Sequence, residues 1–311
     1  FGFLAMFLVM NINYKWYRGY VTWFMLGTLI LLILVLVMGI LSHGATRWLG
    51  IGEQLRFQPS ELAKLTMVLY LARFYSRDIE RTRSFTKGVL PNLGVLAIIS
   101  GLILLQRDLG TTIVLLGATF IVFFAAGVRI THLVGLGIGA LSALLPVIYL
   151  EPFRLKRILA FIDPWSDPLG DGFQVIQSLL AIGSGGLFGV GFGDSRQKFL
   201  YLPEMHTDFI YAIIGEEWGF VGAFMVIFLF ALFVWRGCKI AICAEDNFGK
   251  LLAVGITAMI GFQGALNIAV VTGSLPVTGI TLPFISYGGS SLLFTLIGVG
   301  VLLNISKTAK M

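Results

Sequence analysis

Charge is scarce in this chain: only 12% of its 311 residues are Asp, Glu, Lys or Arg, whereas soluble domains carry about a quarter. With 57% of residues apolar and a mean hydropathy of +0.92, one water-soluble core could not hide the Leu, Ile, Val and Phe present. The bilayer must be part of the solvent. Cysteine is nearly absent. Cys238 and Cys243 lie together at the end of an apolar run and form neither a disulfide framework nor a zinc site. Histidine is limited to three residues, and His206 has no second His or Cys placed to complete a metal site. The opening stretch has neither the basic region nor the small-residue cleavage site that a signal peptide would need, so it is not expected to be one. The apolar stretch Phe1 to Met10 reads instead as the end of a truncated membrane helix. No repeat of 20–50 residues is visible, no G-x-G-x-x-G follows a strand, and no inverted pair of broken helices of the transporter kind is found. The 26 Phe, 9 Tyr and 6 Trp argue against disorder, and 38 Gly without a triplet period exclude collagen. The net charge of +6 sits in short loops between apolar runs, so it reads as membrane topology and not as a nucleic-acid surface.

Apolar runs near 21–41, 61–75, 88–105, 109–128, 132–150, 208–235, 249–272 and 287–305, with the partial first segment, predict about nine transmembrane helices. The expected fold class is an all-α, polytopic membrane helix bundle forming a single domain over residues 1–311. Alternate threading places Lys15, Arg18, Arg73, Arg77, Arg81, Arg83, Lys87, Arg129, Arg236, Lys239, Lys250, Lys307 and Lys310 on one side. It leaves the other side's short loops only Arg47, Arg56, Lys64 and Arg107. The richer side is expected to be cytoplasmic, which makes 151–207 one long extracellular loop. Within it, Phe173, Ile176, Leu179, Leu180 and Leu187 keep helical spacing and predict an amphipathic helix on or in the outer leaflet. The glycines from Gly183 to Gly193 read as a flexible hinge.

Polar groups at membrane depth are costly and therefore informative. Four clusters stand out. In Arg56-Phe57-Gln58-Pro59-Ser60-Glu61-Leu62-Ala63-Lys64, Pro59 suits a first helical turn and Glu61 shares a face with Lys64; a functional pair and a structural ion pair fit equally. In Tyr201-Leu202-Pro203-Glu204-Met205-His206-Thr207-Asp208, the carboxylate of Asp208 would be partly desolvated where the long loop re-enters the membrane. That setting suits a proton acceptor, with helix N-capping as the alternative. Glu216 and Glu217 would lie deeper in the bundle and call for partners, with Lys64, Gln263 and Asn267 as candidates and a structural ion pair as the favoured reading. The run from Pro276 to Ser291 is uncharged, kinked and rich in hydroxyls, as expected of broken helix facing a cavity. One reachable aspartate amid cations fits the displacement of a diphosphate from a sugar better than hydrolysis, which generally uses two carboxylates.

Gly44-Ala45-Thr46-Arg47-Trp48, Phe57 to Lys64, Asp108-Leu109-Gly110-Thr111, Tyr201 to Ile210 and Leu282 to Ser291 follow the motifs of the SEDS family in order. The chain therefore resembles the FtsW, RodA and SpoVE proteins of the bacterial cell wall. Gly193 to Lys198 and Thr278 to Pro283 look closer to the FtsW/SpoVE branch of division and sporulation than to RodA. The resemblance implies a ten-helix fold and a peptidoglycan glycosyltransferase. Such an enzyme polymerises lipid II at the outer face of the bacterial cytoplasmic membrane and releases undecaprenyl diphosphate. It implies Asp208 as the catalytic residue, and Arg56, Glu61 and Lys64 as residues that bind substrate or diphosphate. Arg196 and Lys198 are weaker candidates for that role, while Glu204, His206, Gln58 and Ser286 would support the site. No cofactor is implied with certainty, although Mg²⁺ or Mn²⁺ could assist at the diphosphate. The implied partners are a class B penicillin-binding protein and other divisome or elongasome membrane proteins. Arg107 before Asp108 and Met205 before His206 depart from the family pattern. A lipid II flippase and a non-catalytic scaffold for the transpeptidase are the competing readings.

Overall fold

The computed structural model describes residues 1–42, 45–51, 55–78, 82–197 and 203–309. Eleven helices dominate the described residues: α1 (Gly2–Met10), α2 (Tyr14–Met38), α3 (Pro59–Arg77), α4 (Leu90–Leu105), α5 (Leu109–Ala125), α6 (Ile130–Tyr149), α7 (Pro152–Ile162), α8 (Phe173–Ser184), α9 (Ile210–Cys243), α10 (Asn247–Val271) and α11 (Gly289–Thr308). Local chemistry sets their starts. Asn13 accepts from the amide of Lys15, Asp108 accepts from the amide of Thr111, and Pro59 occupies the first turn of α3. The spans α2, α6, α9, α10, α11 and the segment Phe85–Leu105 are long and apolar enough to cross a membrane. By the same measure α1 and α5 are short, while Glu61, Lys64, Arg73 and Arg77 make α3 too polar.

The helix-bundle reading holds, but the all-helical reading missed a small sheet. Strands β1 (Ile40–Ser42), β2 (Ala45–Ile51) and β3 (Leu55–Phe57) pair antiparallel in the order β1-β2-β3, joining α2 to α3. The three-residue β1 and β3 carry too few alternations for a period of two to show, and the seven residues of β2, Ala-Thr-Arg-Trp-Leu-Gly-Ile, do not alternate apolar with polar.

The chain divides into two compact units, one of residues 1–133, 233–262 and 288–311, the other of 134–232 and 263–287. In the first, Asn304 on α11 accepts from the Tyr14 amide and donates to Met10 O, both at 2.8 Å, so one buried amide secures the turn between α1 and α2. A Cβ at Gly300 would meet Met6 O at 2.7 Å, so glycine is what lets α1 and α11 approach. Thr28 and Thr66 join α2 to α3 through a buried hydroxyl pair at 3.0 Å.

In the second unit, the long loop holds two helices where one was expected. The amphipathic helix is α8, ending at Ser184, and α7 precedes it. The glycines beyond α8 do not form a hinge. They press against a break in α9 at Gly219, whose φ of 64° takes it out of the helix. Val190 and Gly191 donate to Glu216 O and Glu217 O at 3.0 and 3.2 Å, and Phe220 and Val221 donate to Gly186 O and Leu187 O at 2.9 and 3.2 Å. The passing strand thus satisfies backbone groups that the break would otherwise orphan. A Cβ at Gly189 would lie 2.0 Å from Glu217 O, so no larger residue fits there. Tyr211 Oη closes the break from the other side, donating to Ala223 O at 3.2 Å. Phe209, Ala212, Val226, Val271 and Leu282 form the unit's apolar core beneath it.

Candidate active site

Asp208 ends a turn that begins at Pro203 and precedes α9. The turn is closed by Thr207 N and Phe209 N, which donate to Glu204 O at 3.1 and 3.3 Å, and Glu204 takes a φ of 54° to allow it. The supporting residue Glu204 acts within this turn, accepting from Thr207 Oγ1 at 2.7 Å, with its own side chain exposed.

Three successive carbonyls of the His206-Thr207-Asp208 run are then held by three different donors. Tyr287 N donates to His206 O at 2.8 Å, Ser286 Oγ donates to Thr207 O at 2.5 Å, and Asn267 Nδ2 donates to Asp208 O at 2.7 Å. The same Asn267 amide donates to Ile280 O at 2.7 Å, Gln263 donates to Thr281 O at 3.0 Å, and Leu282 N donates to Ser286 Oγ at 2.7 Å. The kinked run after α10 is therefore fixed to α10 on one side and grips the Asp208 backbone on the other. This is broken helix satisfied internally, as membrane depth requires. Phe209, 1% exposed, anchors the turn in the core, while Asp208 stays half-buried.

Arg157 is one of several basic residues that the sequence sets near the polar clusters, without singling it out for Asp208. It lies on α7, stacks 4.3 Å from the Phe153 ring centre, and donates to Val277 O at 3.2 Å. A Cβ at Gly279, whose φ is 71°, would sit 3.6 Å from Asp208 Oδ2 and 4.0 Å from Arg157 Nη1. Absence of a side chain at Gly279 thus leaves the carboxylate and the guanidinium flanking one small space. The spacing Pro152-Phe153-Arg154-Leu155-Lys156-Arg157 carried a basic signal, yet nothing local said which arginine would reach Asp208.

Arg196 lies on the loop held by Glu216, which accepts from Ser195 Oγ, from Arg196 N at 3.0 Å and from Gln197 N at 3.4 Å. The donors at Glu216 are thus neutral, and Gln263 and Asn267 donate to the run after α10, Asn267 to Asp208 O as well. Lys198, Tyr201 and Leu202 lie outside the described residues. His206 is exposed.

The remaining candidates fall in the first unit. Gln58 donates through its side chain to Ser60 Oγ at 3.0 Å and Asp108 Oδ2 at 3.1 Å, and through its backbone to Ser290 Oγ at 3.1 Å. Asp108 also receives Thr111 Oγ1 at 2.8 Å, so it is the N-cap of α5. Glu61 and Lys64 pair at 2.9 Å with side chains 7% and 4% exposed, an ion pair that both the functional and the structural reading contain. Arg56 is half-buried, and its carbonyl accepts from Ser290 Oγ at 3.3 Å. Among the described residues no three His, Cys, Asp or Glu side chains gather as a metal site.

Taken together, these elements define a polytopic helical membrane protein that presents one aspartate from a clamped turn beside an arginine. The chain belongs to the FtsW/RodA/SpoVE family, described as cell cycle proteins, whose model matches residues 1–311. It is 48% identical over 311 residues to stage V sporulation protein E of Bacillus subtilis (strain 168), covering 99% of this chain and 85% of that one. It is 43% identical over 307 residues to the "Probable peptidoglycan glycosyltransferase FtsW" of Geobacter sp. (strain M18), covering 98% and 83%. Among solved structures, the peptidoglycan synthase complex described under "Structural coordination of polymerization and crosslinking" holds a chain that matches with a TM-score of 0.81. The identity is 37%, over 100% of this chain and 87% of that one. The crystal structure of the Thermus thermophilus rod shape determining protein RodA matches with a TM-score of 0.72 at 34% identity, over 100% and 85%.

Proposed function

We propose that this chain is a peptidoglycan glycosyltransferase that polymerises lipid II into glycan strands at the outer face of the bacterial cytoplasmic membrane. The single observation that carries the reading is the clamp on Asp208, where three donors fix three successive carbonyls of a residue run whose aspartate is half-buried. A base held this way keeps its position through the reaction, and positioning is worth several kcal/mol of barrier. The likeness to the Geobacter relative, a probable peptidoglycan glycosyltransferase by name, and to a chain of the synthase complex supports the same assignment.

In the proposed step, Asp208 accepts the proton of the acceptor sugar's 4-hydroxyl as that oxygen bonds to C1 of the donor sugar. The C1–O bond to the diphosphate breaks, the electron pair leaves on undecaprenyl diphosphate, and inversion at C1 follows from attack opposite the leaving group. Arg157, whose Nη1 borders the same space at Gly279 as Asp208 Oδ2, is assigned to the developing negative charge. Arg56, Lys64, Arg196 and Lys198 are assigned to the diphosphate by the family resemblance. Mg²⁺ or Mn²⁺ would be carried chiefly by the diphosphate oxygens, since Mg²⁺ commonly takes one or two carboxylates plus substrate phosphates. A class B penicillin-binding protein is the proposed partner, in keeping with the synthase-complex neighbour.

The test is polymerisation of purified lipid II by the full-length protein with its transpeptidase partner, resolved as strands on a gel. Strands from wild type and none from a folded Asp208→Asn variant are expected. Equal strands from both would remove Asp208 as the base, and no strands from either would favour headgroup passage or scaffolding.

A further inference from the structure

One groove in the first unit lies far along the chain from Asp208 and Arg157 and is lined by none of the residues assigned to the reaction. It runs between the third and fourth turns of α2 and the last two turns of α3, with a volume of about 580 Å³, within the roughly 300–1,000 Å³ of ordinary ligand sites. Its walls are Val21, Met25, Leu26, Tyr70 and Phe74, and Leu26 is 47% exposed. Its mouth is cationic. Arg73 donates to Thr22 Oγ1 at 3.0 Å across the groove, Arg77 follows one turn on, and the charges of Arg77 and Arg18 both act on Arg73. Asp78 stands at the same mouth; among the described residues it is one carboxylate beside the lining guanidiniums of Arg73 and Arg77, with the charge of Arg18 in reach of Arg73.

An apolar slot between two spans, ending in several like charges at the basic side of the bundle, is matched by one kind of molecule. We propose that the groove between α2 and α3 holds an anionic phospholipid of the surrounding bilayer, its phosphate on Arg73 and Arg77 and an acyl chain along Met25, Leu26 and Phe74. Three observations carry the assignment. Guanidiniums gathered at one point need an anion to offset their mutual repulsion, and phosphate accepts from their forked donors. The basic loops about this end, with Lys15, Arg18 and Arg77, place it at the cytoplasmic leaflet, where anionic headgroups meet basic pockets between spans. The apolar walls suit a chain and not a water-soluble anion, which would leave them wet.

The experiment is native mass spectrometry of the full-length protein released from vesicles of equal phosphatidylglycerol and phosphatidylcholine. Wild type should retain phosphatidylglycerol selectively. Arg73→Gln and Arg77→Gln should each reduce that retention about fivefold. Arg77→Lys should keep most of it, and Leu26→Trp, which fills the slot without altering charge, should reduce it. Lys250→Gln, an exposed basic site on α10, should leave it unchanged. Equal retention of the two lipids, undiminished retention in both arginine variants, or an equal loss in Lys250→Gln would each overturn the proposal. Displacement of phosphatidylglycerol by a polyprenyl diphosphate would overturn it too, assigning the groove to the substrate.

Discussion

Asn267→Ala is the perturbation that probes the Asp208 clamp most directly. The side chain is 1% exposed and its amide donates to two carbonyls, Asp208 O and Ile280 O, each at 2.7 Å. Truncation leaves both without that donor, at about 1–3 kcal/mol for each buried carbonyl. Asp208 is half-buried, so water can recover part of its share, and a total loss of about 2–4 kcal/mol is expected. The consequence for activity is larger than a uniform loss of folded protein, because the turn loses one of its three anchors. A misplacement of about 1 Å at a reacting group costs on the order of 10²-fold in rate. In lipid II polymerisation by the full-length protein, corrected for the folded fraction, kcat should fall by about 10–100-fold with KM little changed. Asn267→Asp, isosteric but with no donor when ionised, should behave as badly. A variant with wild-type kcat, or one that raises KM alone, would refute the idea that these carbonyl bonds position the base.

Lys64→Met should destabilise the protein by about 3–5 kcal/mol because it strands the buried Glu61, and adding Glu61→Gln should recover much of that in the same unfolding assay. If Glu216 tethers the loop, Glu216→Ala should make the bond after Arg196 more sensitive to trypsin in the intact protein, whereas unchanged cleavage would show that the three donors from Ser195, Arg196 and Gln197 do not hold it. Gly185→Ala, whose Cβ would lie 1.9 Å from Gly215 O, should abolish the monodisperse peak in size-exclusion chromatography. Gly183→Ala, with nothing within 4 Å, should preserve it.

Much of this protein was legible as one-dimensional pattern. The spans follow from apolar length, the starts of α3 and α5 follow from Pro59 and Asp108, and Asp208 stands out as a carboxylate at a membrane boundary. These properties are local: hydropathy adds along a segment, and a cap needs only its neighbours within a turn. The glycine run after α8 misled for the same reason. Glycine reads as freedom when its partner is unseen, yet Gly185 and Gly189 are small because the backbone of α9 lies against them.

Tertiary structure alone decided the rest. Which donors would meet the carbonyls of His206, Thr207 and Asp208 depended on where α10 and the run to Tyr287 fold back, many residues away in sequence. Likewise Arg157 reached the side of Asp208, while Arg154, three residues earlier, turned to Val147 O at 2.8 Å. A hydrogen bond is a matter of a few tenths of an ångström between groups that the chain brings together only once packed. The sequence by itself determined that a polar, acidic turn would sit at a membrane edge, and the packing determined what would hold it there.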